Sequence, residues 1–299
     1  MFQRLKLQYD ATSVSQVLES VLENFLLDSN IFGIDSSRDP HHQQLSMIYL
    51  YQPNIRLAGI TNNPLDTKEQ FILHKYQEFN LKVVEELANF LQSGVFRGLN
   101  SEDLVVDTTN ILGLEKRIAL ALNMTKVPDG QQAILTWKEL ENVMNKNGEP
   151  KQVDILKVTK RLLKRLINKT ITDDSKLMVP DLSYFEQLNG ILNTTPARDI
   201  VNYLLFGEVK KLLPLTTQRM TLIIAQFNVD IGKGSGIQSR QSTCMDMATN
   251  YFGAKLAQLY SKRFHGEKTK EMTQGLIEDL RSAFGDMIQE ATWMDESKL

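Results

Sequence analysis

The sequence predicts a mainly α protein: a multi-helix lobe of about nine helices with one or two short β-strands. Three observations carry this expectation. Apolar residues recur three and four apart over most of the 299 residues, the spacing of one helical face. Helix-starting signals precede several of these stripes. Runs suited to strands are few and short.

Taken in order, Val14, Val17, Leu18, Val21, Leu22, Phe25 and Leu26 form a stripe that predicts a helix over residues 13–27. Gly33 to His42 is rich in Asp, Ser and Pro and is expected to be a loop. Met47-Ile48-Tyr49-Leu50 suits a short strand, ended by Pro53, which cannot donate to a ladder. A helix over about 67–92 carries Ile72, Tyr76, Phe79, Val83, Leu87 and Phe90. The next, about 102–123, carries Leu104, Ile111, Leu114, Ile118 and Leu122.

Thr136-Trp137-Lys138-Glu139 reads as a capping box, in which Thr and Glu each satisfy a backbone N–H of the other's residue. Residues 152–168 form an amphipathic helix, and Lys176-Leu177-Met178-Val179-Pro180 is a second strand candidate. Asp181 caps a helix with Leu182, Phe185, Leu188 and Leu192. Pro196 opens the following helix, where its missing N–H costs nothing, and that helix ends before Pro214. Residues 215–231 show mixed patterning, and Gly232 to Gly236 reads as a loop. Two closing helices follow: one with Met245, Ala248, Phe252, Leu256 and Leu259, the other with Met272, Leu276, Leu280, Phe284, Met287 and Ala291. Their stripes predict packed faces.

Composition bounds the function. Hydrophobic residues at 42% and charged residues at 23% are ordinary for a globular chain, and a net charge of −2 argues against a nucleic-acid partner. No apolar run approaches the roughly 20 residues needed to span a bilayer, and Met1 to Lys6 lacks the apolar core of a signal peptide. The single cysteine, Cys244, excludes an intrachain disulfide and favours a reducing compartment. Three Asn-x-Ser/Thr acceptor sequences, at Asn123, Asn168 and Asn193, point the other way.

No catalytic group emerges from the residues themselves. A helical zinc-peptidase centre needs His-Glu-x-x-His, two ligands one turn apart with a general base beside the first. His41 is followed by His, His42 by Gln, His74 by Lys and His265 by Gly, so the motif does not occur. His74 and Glu78 share a helix face without a third ligand, and a solvated face accounts for them. Cys244 lies near Arg240 and a helix start, which can acidify a thiol, yet no histidine is assigned to it. Asp173, Asp174 and Asp181 suit turn and cap roles. The glycine loop follows an apolar segment but misses both the Walker and the dinucleotide spacings, so no cofactor-binding residue is expected. The basic face Lys157, Lys160, Arg161, Lys164, Arg165 and Lys169 would suit an acidic partner or lipid surface, and more simply solvent; its like charges call for counter-charges elsewhere in the fold.

A set of short motifs, in order, resembles one family. They are Leu5 to Asp10, Tyr49-Leu50-Tyr51-Gln52-Pro53, Leu112 to Ala119 around Leu114-Glu115, Val179 to Phe185, Val201-Asn202-Tyr203-Leu204-Leu205, the Arg240…Cys244 pair and Thr292-Trp293-Met294-Asp295. Together they resemble the neprilysin and endothelin-converting-enzyme family of zinc metallopeptidases, over nearly the whole chain. The resemblance implies that residues 1–299 form a single N-terminal cap domain, truncated before the catalytic zinc domain. It implies no zinc ligand in this chain, with zinc and the general base lying beyond Leu299. Peptide substrates would then be met through a catalytic lobe with which this chain associates, in an extracellular or cell-surface ectodomain. The family's first cysteine would fall at Thr12, leaving Cys244 unpaired. The alternative implied is a short, inactive family member that binds peptides or regulates full-length relatives.

Overall fold

A computed structural model describes residues 10–24, 27–39, 44–59, 63, 65–91, 101–124, 133–145, 153–168, 170–234, 237, 239–264 and 266–291. His41, His42, His265, Phe25, Leu26 and Thr292 to Asp295 lie outside them. The chain forms two compact units, residues 1–237 and 238–299.

Among the described residues of the first unit, eight α-helices accompany a small sheet. They are α1 (Ala11–Asn24), α2 (Thr67–Leu91), α3 (Ser101–Met124), α4 (Trp137–Met144), α5 (Ile155–Ile167), α6 (Leu182–Asn193), α7 (Ala197–Leu212) and α8 (Gln218–Asp230). The strands are β1 (Gly33–Arg38), β2 (Ser46–Tyr51), β3 (Ala133–Thr136) and β4 (Lys176–Val179), in the order β1-β2-β4-β3. The β1–β2 and β3–β4 pairs are antiparallel, while β2 and β4 run parallel with Ile48 opposite Leu177.

The apolar stripes become the core. Val14, Leu18 and Leu22 of α1, Tyr76 and Val83 of α2, Ile118 of α3, Phe185 and Leu188 of α6 and Leu204 of α7 are all fully or nearly fully buried in one cluster. Their burial is the main favourable term for the unit. Local signals set the helix starts. Asp10 Oδ1 accepts the Ser13 backbone N–H at 2.8 Å, and Asp181 Oδ1 accepts those of Ser183 and Tyr184. Asp181 Oδ2 also accepts the Gln52 side-chain amide, tying the end of β2 to the start of α6.

The capping box at α4 is complete: Glu139 N–H donates to Thr136 Oγ1 at 3.2 Å and Thr136 N–H to Glu139 Oε2 at 2.7 Å. The Thr136 N–H and, at 2.9 Å, the Thr136 hydroxyl, both donating to Glu139 Oε2, hold the Glu139 carboxyl below its ordinary value. Thr136→Ala is therefore expected to cost about 1 kcal/mol in chemical unfolding at neutral pH. Because the folded value is the lower one, the Glu139 contribution is present above pH 4.5 and is lost as pH falls through the folded value. An unaltered unfolding midpoint in the variant would contradict this.

Several expectations are corrected. Gly33 to Arg38 is an edge strand rather than a loop, because backbone pairing with β2 needs no apolar face on a rim exposed to water. The sheet gains β3, a four-residue strand. Residues 218–230 form a full helix capped by Thr217, of which Met220 and Phe227 are buried. Pro196 occupies the N-cap rather than the first helical position, whereas α7 does end at Leu212, before Pro214, which sits in a 3-10 turn over Leu213–Leu215. Leu166 and Ile167 of α5 are exposed.

The second unit holds α9 (Arg240–Phe264), kinked at Phe252, and α10 (Glu267–Gln289). Neither helix has a buried residue, so the predicted packed faces are open: Met272, Leu276, Leu280, Phe284 and Met287 run along α10 at 58–69% exposure. A regular stripe records that a face is apolar, not that its own helix pair covers it.

Candidate functional site

The most unusual chemistry in the first unit is a charged cluster inside its core. Tyr76 of α2 and Glu115 of α3 are buried on the inward stripes of their helices, and Lys210 of α7, half-buried, reaches them from the rim. Tyr76 Oη donates to the Glu115 carboxylate at 3.0–3.1 Å. Lys210 Nζ donates to Tyr76 Oη at 2.6 Å and to Glu115 Oε2 at 3.2 Å. Glu115 is 1% exposed, so its charge depends on these two partners. Burial pushes the Lys210 ammonium below its ordinary value, the Glu115 charge pulls it back, and the Arg56 charge pushes it down further.

The cluster forms one wall of a cavity of about 780 Å³, which Arg56, Phe79, Ile224 and Lys233 also line. The Arg56 guanidinium lies 5.2 Å from the Phe227 ring centroid and 6.0 Å from that of Phe79. Those two rings stack on each other at 4.7 Å. The arrangement can hold and orient a charged ligand; among the described residues it brings together no nucleophile and base pair.

Burial raises the phenol values of Tyr76, Tyr184 and Tyr203. Tyr184 donates to the Ile31 carbonyl at 2.6 Å and Tyr203 to the Asn30 carbonyl at 3.1 Å, so each is held as the neutral phenol. A raised folded value means that their stabilisation is full below pH 10.0 and is lost as pH rises toward the folded values. Lys210, lowered, works in the opposite direction, but three phenols outweigh one amine. The urea midpoint should fall between about pH 9 and about pH 11; a flat midpoint would contradict the burial of these hydroxyls.

The residues singled out by sequence fall elsewhere. His74 Nε2 contacts Glu78 Oε1 at 3.0 Å on the outer face of α2, and Lys75 shares the same carboxylate. Among the described residues no group of three or more His, Cys, Asp or Glu comes together to hold a metal ion. They do not fit a zinc centre, and no catalytic step is assigned to them. Three of the basic residues of α5 find counter-charges within the unit, while Lys169 lies outside the described residues. Arg165 pairs with Glu19 at 3.0 Å and Glu23 at 2.5 Å, Arg161 also contacts Glu19, and Lys160 pairs with Asp173. Cys244 is free and exposed on α9, and Thr12 is exposed on α1. Asn168 is the exposed left-handed C-cap of α5, φ 52°. Asn123 Oδ1 accepts the Gly59 N–H at 3.0 Å, and Asn193 Nδ2 is buried. Gly232 and Gly234 adopt positive φ, as a turn requires.

The fold is that of known zinc metalloproteases. The zinc metalloprotease Zmp1 of Mycobacterium tuberculosis superposes with a TM-score of 0.73 at 16% identity, over 99% of this chain and 42% of that one. PepO from Lactobacillus rhamnosis HN001 superposes at 0.67 and 13% identity, over 99% of this chain and 46% of that one. The chain belongs to peptidase family M13, whose N-terminal model matches residues 3–298. It is 23% identical to mouse membrane metallo-endopeptidase-like 1 over 91% of its own length and 34% of that protein's. It is 21% identical to rat endothelin-converting enzyme-like 1 over 79% of its own length and 30% of that protein's. The chain thus covers the N-terminal region of the family and spans about a third of the length of these relatives. No helix among the described residues is long and apolar enough to cross a membrane.

Proposed function

We propose that residues 1–299 act as one non-catalytic cap of a neprilysin-like zinc metalloendopeptidase, and that zinc chemistry on peptide substrates is supplied by a catalytic part outside this region. The observation that carries this reading is the family match over residues 3–298 in a chain whose described residues hold no metal-binding cluster. The names of the relatives, an endothelin-converting enzyme-like protein and a metallo-endopeptidase-like protein, support peptides as substrates. The open apolar face of α10 is the docking surface for the catalytic part, since about two-thirds of the length of those relatives falls outside the match.

The chain alone, given zinc and a fluorogenic peptide, is expected to show no turnover. Cleavage that requires zinc and stops with a chelator would overturn the reading. We also place the region outside the cell. Of the three acceptor asparagines, Asn168 is the one whose side chain is exposed at a helix end, whereas Asn123 is engaged with Gly59 and Asn193 has a buried amide nitrogen. Secretion from a glycosylating host should therefore add one N-glycan, removed by Asn168→Gln. A glycan that persists in that variant would refute the assignment.

A further inference from the structure

The cavity beside Tyr76, Glu115 and Lys210 contains more positive charge than its walls neutralise. Lys211 is held by Glu208 at 3.0 Å and Asp28 at 3.3 Å. Lys210 is balanced by Glu115, and its two hydrogen bonds leave one of three N–H donors unspent. Arg56 and Lys233 line the same space, and neither is ion-paired among the described residues. Among the described residues Glu115 is the one carboxylate on the lining, beside Arg56, Lys210, Lys233 and the already paired Lys211.

We propose that this cavity binds a small organic oxyanion, a carboxylate or phosphate carried on a compact apolar body, with Arg56 and Lys210 facing the anion and Lys233 at its edge. The Arg56 guanidinium lies beside the Phe79 and Phe227 rings, 6.0 and 5.2 Å from their centroids, and a guanidinium is suited to a two-pronged contact with a planar or tetrahedral oxyanion. Phe79, Ile55 and Ile224 supply the apolar wall for the body of the ligand. At about 780 Å³ the space is of the size that encloses a small molecule rather than a lone ion. Burial chiefly lowers the Lys210 value and the Arg56 charge adds to it, so an anion between the two would offset part of that repulsion. The inference is independent of the cap assignment, because it rests on groups within the first unit.

The test is calorimetric titration of the full chain at low salt with benzoate, phenyl phosphate and inorganic phosphate. Saturable binding of at least one organic probe, tighter than inorganic phosphate, is expected; which organic probe binds tighter separates a carboxylate ligand from a phosphate one. Arg56→Gln, at an exposed turn, should weaken binding roughly tenfold or more, and Lys233→Gln by less. Lys164→Gln, which removes the same charge from the outer face of α5, should leave the affinity unchanged. Absence of saturable binding, or an equal loss in Lys164→Gln and Arg56→Gln, would overturn the site.

Discussion

Lys210→Met is expected to lower the unfolding free energy by about 3–5 kcal/mol, because it leaves the Glu115 carboxylate buried without its cation. The methylene stem is kept, so the effect isolates the charge. Tyr76 remains as a donor, but one neutral hydroxyl does not solvate a carboxylate as water does. Glu115→Gln should cost less, since an amide oxygen still accepts the Tyr76 hydrogen bond. The double variant Lys210→Met/Glu115→Gln should recover much of the loss, because no uncompensated charge remains. Urea unfolding followed by circular dichroism measures all three. A Lys210→Met cost under about 1 kcal/mol would mean that water reaches Glu115 and that the pair is not buried in solution.

Much of the fold was legible because its determinants are local. Thr136 and Glu139 are three apart, Asp181 directly precedes its helix, and the stripes of α1, α2 and α3 follow from their own spacing. What was not legible depends on partners distant in sequence. Strand β1 has Ile34 as its single large apolar residue and exists because β2 pairs with it. Helix α8 carries a stripe in Met220, Ile223, Ile224 and Phe227, but Leu222, Ala225 and Val229 interrupt its polar face and blur the period; Ile223 and Ile224 pack partly buried against the core. The charged cluster joins residues 39, 95 and 134 positions apart, which no short motif reports. One signal did exist: Glu115 follows Ile111 by four and precedes Ile118 by three, a charge on an inward stripe, and Lys210 stands four after Phe206. Such a charge must be paired once the helix packs.

Replacing Leu276, Leu280 and Phe284 together by Gln should leave the stability of the isolated chain nearly unchanged and, if α10 is the docking face proposed above, weaken association with a catalytic part roughly a thousandfold or more. In the core the opposite holds: Leu204→Ala, at a site with no solvent exposure, should cost about 2–5 kcal/mol. The three α10 side chains are 58–63% exposed, so in the chain alone they contribute little burial and polar replacements fall within about 0.5 kcal/mol. Covered by a partner, each would contribute up to about 1.5–3 kcal/mol. Losing three such anchors exceeds the roughly 8 kcal/mol of a micromolar complex only at the upper end, so their sum decides binding when the contacts are central rather than peripheral. Mixing the chain with a separately produced catalytic part of a family peptidase, and reading both complex formation and peptide cleavage, makes the comparison. Retention of full affinity by the triple variant would remove α10 from the interface, and unfolding of the triple variant by itself would show that the face is covered within the chain.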